Sequence, residues 1–503
     1  MTDVDELPVV VVGAGNAGLT AAISAAEHGR RVVVIDAAPE RAAGGNSWYT
    51  AGATRIVHGG LDDLAAFVRE DPRTDRAIVP PYTKEDYRSD LERVTGGRND
   101  PFLTDVLVDE SASAVRWLSS HGVRYQLMFE RQAYERDDGR FQFWGGLHIG
   151  NVGGGKGLVR DEVAAAERLG IEILYDTTAT RLVEEDGRIA AVELMHAGRR
   201  RRLECRALVL AAGGFEANAE LRAAYLGQQW RRARVRGTPY NDGGMLVEAL
   251  RLGAARAGDW SSCHSVAWDA DHADNESNAD LTNRLTRQSY PLGIVVNTAG
   301  TRFIDEGADF RNYTYAKYGR EILRQPGARA FQIFDATTAP MLRSEEYMMP
   351  GVSVVEADTV EALAAAAGID PEGLVRTVVE YNTGIDRSRA FDPNVLDQRS
   401  SAVQPPKSNW ALAIETPPFR AYPVTCGITF TFGGLKTDPD GRVLRADGRR
   451  IAGLFAAGEM LGGLFAGNYP GGSGLAAGMV FGRRAGRAAA VGLDADEHRN
   501  GWG

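Results

Sequence analysis

The chain has 503 residues, too many for one hydrophobic core, so two or three domains are expected, some of them discontinuous. Hydrophobic residues make up 44% and charged residues 25%; the net charge of −10 argues against nonspecific nucleic-acid binding. Three widely separated cysteines (Cys205, Cys263, Cys426) show no metal-ligand spacing, so disulfide scaffolds, zinc sites and iron–sulfur clusters are disfavoured and no metal is expected.

In chain order, the acidic start MTDVDELP is unlike a signal peptide, and no apolar run reaches membrane-spanning length. A cytoplasmic protein that does not itself span a membrane is expected. Val9–Val12 then enter a glycine set, Gly13, Gly15 and Gly18, followed by an alanine-rich amphipathic stretch and a second apolar run, Val32–Ile35, ending in Asp36. This predicts strand, turn, helix and strand with an acid at the tip. Gly13 permits the tight turn, Gly15 lets backbone approach a pyrophosphate, and Gly18 packs helix on strand. Asn16 and Ala17 open the helix whose free N–H groups favour an anion. Asp36, with Ala37 beside it, is placed to accept hydrogen bonds from a ribose diol. The pattern predicts a bound adenine dinucleotide.

Small residues dominate the next stretch, with Gly45, Asn46 and Ser47, then Ala51, Gly52 and Ala53. Here the chain can run flat against a planar ligand while Asn46 and Ser47 supply hydrogen bonds. Residues 153–157 (GGGKG) predict a helix start, residues 171–175 a strand, and residues 177–180, ending in Thr180, an adenine-side loop. The run 206–214 (RALVLAAGG) predicts a buried strand ending at Ala212, Gly213 and Gly214. Residues 241–244 (NDGG) open a helix to about Leu252, and helices are expected near residues 359–367 and 371–382. Near the end, 453–459 (GLFAAGE) predicts a strand ending at Glu459, and 471–478 (GGSGLAAG) the start of the last helix.

The spaced set GAGNAG, GGNS, LAAGG, AAGEM and GGSGLAAG resembles the flavoprotein superfamily of fumarate reductases, succinate dehydrogenases and 3-ketosteroid dehydrogenases. The resemblance implies an α/β fold, a discontinuous Rossmann-like FAD-binding domain (residues 1–260 and 419–503) with an inserted α+β capping domain (261–418). It implies FAD rather than NAD, with Ser473, Gly474 and Leu475 at the flavin ring and Glu459 on ribityl or ribose hydroxyls. The superfamily's tethering histidine is absent from residues 46–54, so noncovalent FAD is expected. The role of residues 60–150 stays open.

The superfamily moves a hydride between carbon and flavin N5 while a base handles the proton on the adjacent carbon. Residues 297–311 (NTAGTRFIDEGADFR) resemble its cap motif, which makes Arg311 the catalytic candidate, one residue beyond the usual position; the alternative is an ion pair with Asp309 or Glu306. Arg302 is expected to be structural. In 467–474 (GNYPGGSG), Tyr469 replaces a carboxylate-binding arginine and resembles the carbonyl-donating tyrosine of 3-ketosteroid dehydrogenases; its alternative role is packing at a turn. Thr429 and Phe430 stand where fumarate reductases carry a carboxylate-binding histidine, and both are substrate-binding candidates. His264 matches a substrate-contacting histidine by loose spacing, and Arg287 and Tyr290 are candidates to reach in from the cap. His148 has no matching role.

Passages such as VTGG (94–97), DEGADFRNYTYAK (305–317) and GITFTF (427–432) are most similar to FAD-dependent tricarballylate dehydrogenases. That resemblance implies desaturation beside a carboxylate, tricarballylate to cis-aconitate, with electrons passed to a separate membrane-bound acceptor protein. Two readings stay open beside it: a ketone or steroid-like substrate, and an enoate reductase or specialised oxidase.

Overall fold

The computed structural model describes residues 6–491. The two ends of the chain, including the final residues of the expected segment 419–503, lie outside the described residues. Five parallel strands form the base, in the order Arg450–Ala456, Ala207–Leu210, Val9–Val12, Val32–Ile35 and Glu172–Leu174. Each is short and apolar, and Val9–Val12 and Ala207–Leu210 are buried throughout, as parallel strands covered on both faces must be. An antiparallel extension, Thr177–Glu185 with Arg188–His196 and Arg199–Glu204, and the short strand Arg442–Leu444, antiparallel to Arg450–Ala456, complete a nine-stranded sheet.

The helix Asn16–Glu27 packs on this sheet and on the terminal helix Ser473–Val491. The two helices meet backbone to backbone. A Cβ at Gly482 would lie 2.5 Å from the Ala17 carbonyl oxygen, and one at Gly486 would lie 2.1 Å from that of Ala21. Glycine therefore sets how closely the last helix approaches the first.

A second, six-stranded sheet carries the middle of the chain. The strand Phe419–Leu435 is its spine, antiparallel to Arg256–Asp269 along one edge and to Ala330–Phe334 along the other, which pairs in turn with Ile294–Asn297. Helices Val360–Ala367 and Pro371–Thr383 bury their apolar sides with this sheet, packing Leu363, Leu374 and Tyr381 against Ile294, Phe331 and Ala421. The expected boundary at 260/261 falls inside the strand Arg256–Asp269, at a bulge between Asp259 and Cys263, and that at 418/419 falls where Phe419–Leu435 begins. Two long paired strands thus connect the regions.

The helix starts at Gly154 and Gly244 and the strand at Glu172 match their sequence signals. The stretch 177–180 departs from its expectation: it is the start of the strand Thr177–Glu185, not a loop, because it pairs with Arg188–His196. Residues 60–150 include the helices Lys84–Thr95 and Pro101–Ser120, the first closed by a reciprocal capping box between Thr83 and Asp86. Leu103, Leu107 and Val115 join the core around the terminal helix. Among the described residues, no helix is long and apolar enough to cross a membrane.

Candidate functional site

A cavity of about 390 Å³ lies between the two sheets' facing elements, with the Gly13 turn in its wall at one end and Tyr469 at the other. The turn is built for close approach. Gly13 has φ +107°, and a Cβ there would sit 2.3 Å from the Ala211 carbonyl oxygen; a Cβ at Gly18 would sit 1.9 Å from that of Gly13. Asp36 accepts from the N–H groups of Ala14 (2.7 Å) and Ala38 (2.9 Å), and burial raises its pKa against those two bonds. Asn16 donates to the Leu475 carbonyl at 2.9 Å, tying the first helix to the start of the last, while its Oδ1 is buried without a partner. Ser47 Oγ accepts from the Asn16 N–H at 3.0 Å.

Asn46 holds three elements at once. Its amide donates to Glu216 (2.6 Å) and to the Thr429 carbonyl (2.5 Å), and its Oδ1 accepts from the Thr238 N–H (3.0 Å). Glu216 and Glu459 form a carboxyl pair; burial pushes both pKa values up, and the charge of Glu216 adds to burial in pushing Glu459 well up. The Glu459 carboxyl also accepts from the Thr431 N–H at 2.6 Å.

Gly13, Gly15, Asn16, Ala17, Asp36, Ala37, Gly45, Asn46, Ser47, Ala51, Ala53, Ala212, Gly213, Glu459, Gly474 and Leu475 line the cavity. Gly18, Gly52, Gly214 and Ser473 stand behind the wall instead. A Cβ at Gly52 would meet Gly154 backbone at 2.7 Å, one at Gly214 would meet Glu459 at 2.0 Å, and Ser473 Oγ accepts from the Tyr87 hydroxyl at 3.0 Å. Thr180 points elsewhere, donating to the Glu193 carbonyl at 3.1 Å, and Thr177, Thr178 and Ala179 line the cavity in its place. The glycine cradle, the helix N-terminus and the unpartnered Asn16 oxygen fit an adenine dinucleotide at this end.

The other end is an aromatic chamber. His264 stacks on Phe430 at 5.3 Å between ring centroids and meets Tyr315 and Tyr469 edge-on at 5.0 and 5.1 Å. The Tyr315 and Tyr469 hydroxyls are 2.5 Å apart, and burial holds Tyr469 well above its ordinary pKa, so it is a neutral donor. His264 is buried and neither ring nitrogen has a partner. Burial, helped by the nearby cation of Arg236, holds its pKa well below the ordinary histidine value, so its ring is neutral.

Arg311 lines the chamber and donates to the Gln288 side-chain oxygen (2.8 Å) and the Arg131 carbonyl (2.9 Å). The ion-pair alternative does not form: Asp309 pairs with Arg93 and Glu306 with Arg302. Burial, then the cations of Arg343 and Arg131, pull the Arg311 guanidinium down to about 9. Behind it, Arg343 and Arg131 converge on the buried Glu346, at 3.4 and 3.2 Å.

Arg287 is not brought to the chamber. It is fully buried in an ion pair with Asp269 and absent from the cavity wall, while Tyr290 is buried against Thr314. His148 pairs with His58 at 3.0 Å, away from the cavity wall. Tyr315 and Arg236 are among the wall residues that no sequence signal marks. Tyr315 was one aromatic among many, and Arg236 follows Arg232 and Arg234 at equal spacing with nothing to single it out. Pairing of Arg234–Val235 with Phe419–Leu435 is what carries Arg236 inward, where its Nη1 donates to Thr429 Oγ1 at 2.7 Å.

The FAD binding domain family matches residues 8–475. The chain is 29% identical to the probable fumarate reductase Ifc3 of Shewanella frigidimarina, over 96% of this chain and 74% of that protein. It is 30% identical to the 4-oxocyclohexanecarboxylate 2-dehydrogenase of Sinomonas cyclohexanicum, over 96% and 92%. Among solved structures, the open conformation of a flavocytochrome c3 fumarate reductase is similar with a TM-score of 0.71 at 27% identity, over 96% of this chain and 78% of that one. The chain spans about half the length of two other curated relatives that it matches. It belongs to the FAD binding domain family and is an FAD-dependent oxidoreductase of the fumarate reductase and 3-ketosteroid dehydrogenase superfamily, acting on carbon–carbon bonds.

Proposed function

We propose that the protein desaturates a carbon–carbon bond beside a substrate carboxylate, with tricarballylate to cis-aconitate as the type reaction. The observation that carries this reading is Arg311: a buried guanidinium with no carboxylate partner among the described residues, on the wall of the chamber that holds Tyr469 and His264. Bound FAD, held without a covalent tether, supplies the two-electron acceptor. Neutral Tyr469 donates to the substrate oxygen and stabilises the charge that develops there as the adjacent carbon loses its proton. Its bond to Tyr315 fixes the hydroxyl, and neutral His264 offers a further donor. Arg311 exchanges the proton at a guanidine nitrogen, which its lowered pKa eases. Residues 261–418 act as the cap that closes the chamber, and a separate electron-transfer protein, membrane-bound in this reading, takes the electrons.

A second reading, desaturation beside a ketone, draws support from the Tyr315–Tyr469 hydroxyl pair, which suits a neutral carbonyl oxygen. Dye-coupled turnover of tricarballylate, succinate, 4-oxocyclohexanecarboxylate and a 3-ketosteroid separates them. Turnover of tricarballylate above the others supports the first; turnover of the ketones alone replaces it with the second. Flavin that stays with the polypeptide after acid precipitation contradicts noncovalent binding.

A further inference from the structure

Arg236 has no role in the reaction steps above, yet it is built into the chamber. It is buried, it lines the cavity, and its Nη1 donates to Thr429 Oγ1 at 2.7 Å while its Nε has no partner. Its backbone N–H is fixed to the Ile428 carbonyl at 2.8 Å, and the next residue, Gly237, has no room for a side chain, since a Cβ there would meet Asn46 Oδ1 at 2.2 Å. The guanidinium is thus held from the sheet, not borne on a loose loop. No carboxylate pairs with it among the described residues; its nearest hydrogen-bonding side chain is a neutral hydroxyl.

The local charge is unbalanced. Arg131, Arg236, Arg311 and Arg343 gather here, and the carboxylates that answer them are Glu346 and the half-exposed Glu345, both taken by Arg131 and, for Glu346, Arg343. A buried cation without a counter-ion is costly unless the bound state supplies one. The pyrophosphate belongs to the Gly13 turn, whereas the groups that sense Arg236 are Tyr315, Tyr469 and His264 at the chamber end. The missing anion is therefore one that enters with the substrate.

We infer that Arg236, with Thr429, forms a second anion subsite that binds a carboxylate remote from the reacting bond, so the substrate class is di- or tricarboxylates. The inference rests on the proposed desaturation beside a carboxylate and assigns the residues that hold a second carboxylate of that substrate. Arg236 selects; it is not asked to move a proton.

The test uses FAD-loaded enzyme and two probes that cannot be desaturated: acetate, and citrate, which has three carboxylates but no adjacent pair of C–H bonds. Binding is read from perturbation of the oxidised flavin spectrum. Wild type is expected to bind citrate at least roughly tenfold tighter than acetate, and Arg236→Gln to weaken citrate roughly 10- to 100-fold, the scale of one lost charge-assisted contact, with acetate shifted less than about threefold. Arg236→Lys, which keeps the charge, should recover part of the citrate affinity. A wild-type enzyme without preference for citrate, an unchanged preference in Arg236→Gln, or loss of FAD from both variants would each overturn the subsite. Turnover of tricarballylate by the same wild-type sample separates the two claims. Citrate preference that depends on Arg236, with no carboxylic acid oxidised, leaves the subsite standing and removes the proposed reaction.

Discussion

Burial keeps the Tyr469 hydroxyl neutral, and it lies 2.5 Å from the Tyr315 hydroxyl, with either able to be the donor. If that hydroxyl stabilises an oxyanion, Tyr469→Phe should lower kcat by roughly a hundredfold with FAD content unchanged. A fall under about threefold would reduce Tyr469 to packing. Arg311 gives a prediction of sign. Its pKa is lowered to about 9, so the neutral form that accepts a proton grows as pH rises to that value. Desaturation should therefore accelerate up to about pH 9, and the reverse reduction, which needs the protonated form, should slow above it. Profiles of both directions in wild type and Arg311→Lys check this; a flat profile in wild type would remove Arg311 from proton transfer. At this scale the sequence is a partial guide. Arg311 and Tyr469 stand in motifs, His264 matches by loose spacing, and all three reach the chamber; Arg287 does not, because Asp269 takes it, while Arg236, which no motif marks, is carried inward by pairing with a strand nearly two hundred residues away.

The elements proposed to grip the cofactor are the first and last helices and the glycines between them. Gly18 touches the Gly13 carbonyl, and Gly482 and Gly486 touch Ala17 and Ala21, so one methyl group added at these points must move a helix or the turn. Gly18→Ala should cut FAD affinity at least roughly tenfold and lower stability by about 1–3 kcal/mol; measured by flavin release and thermal melting, an unchanged FAD affinity would contradict the role given to this contact. Elements of this kind are legible because their signals are local: apolar runs give the parallel strands, and GG pairs mark the starts at Gly154 and Gly244. Thr177–Glu185 is less so. Its threonines suit strand and loop alike, and only pairing with Arg188–His196 decides. Ser473 and Gly214 carry the right spacing but stand behind the wall, Ser473 turned to Tyr87 and Gly214 packed against Glu459, which spacing does not encode.

Across the molecule, three histidines among the described residues are buried and neutral: His264 in the chamber, and His58 with His148 outside it. Burial lowers His58 to about 4 and His148 well below its ordinary value. Between about pH 6.5 and 4 the unfolded chain binds a proton at His58 that the folded chain refuses, so stability is full above that window and falls as pH drops through it, by about 3 kcal/mol from His58 alone. Thermal melting against pH should show this fall, and His58→Gln should flatten it; an equal fall in the variant would assign it elsewhere. The global design, a nine-stranded and a six-stranded sheet with the cavity lined from both, brings residues 13 and 474 to the wall of one cavity. The measurement that tests the account most directly is anaerobic titration of the FAD-loaded protein with tricarballylate, following the visible flavin absorbance. Bleaching that is reversed by adding cis-aconitate is the predicted result. Flavin that stays oxidised with tricarballylate, yet is bleached by a ketone without a carboxylate, would contradict it.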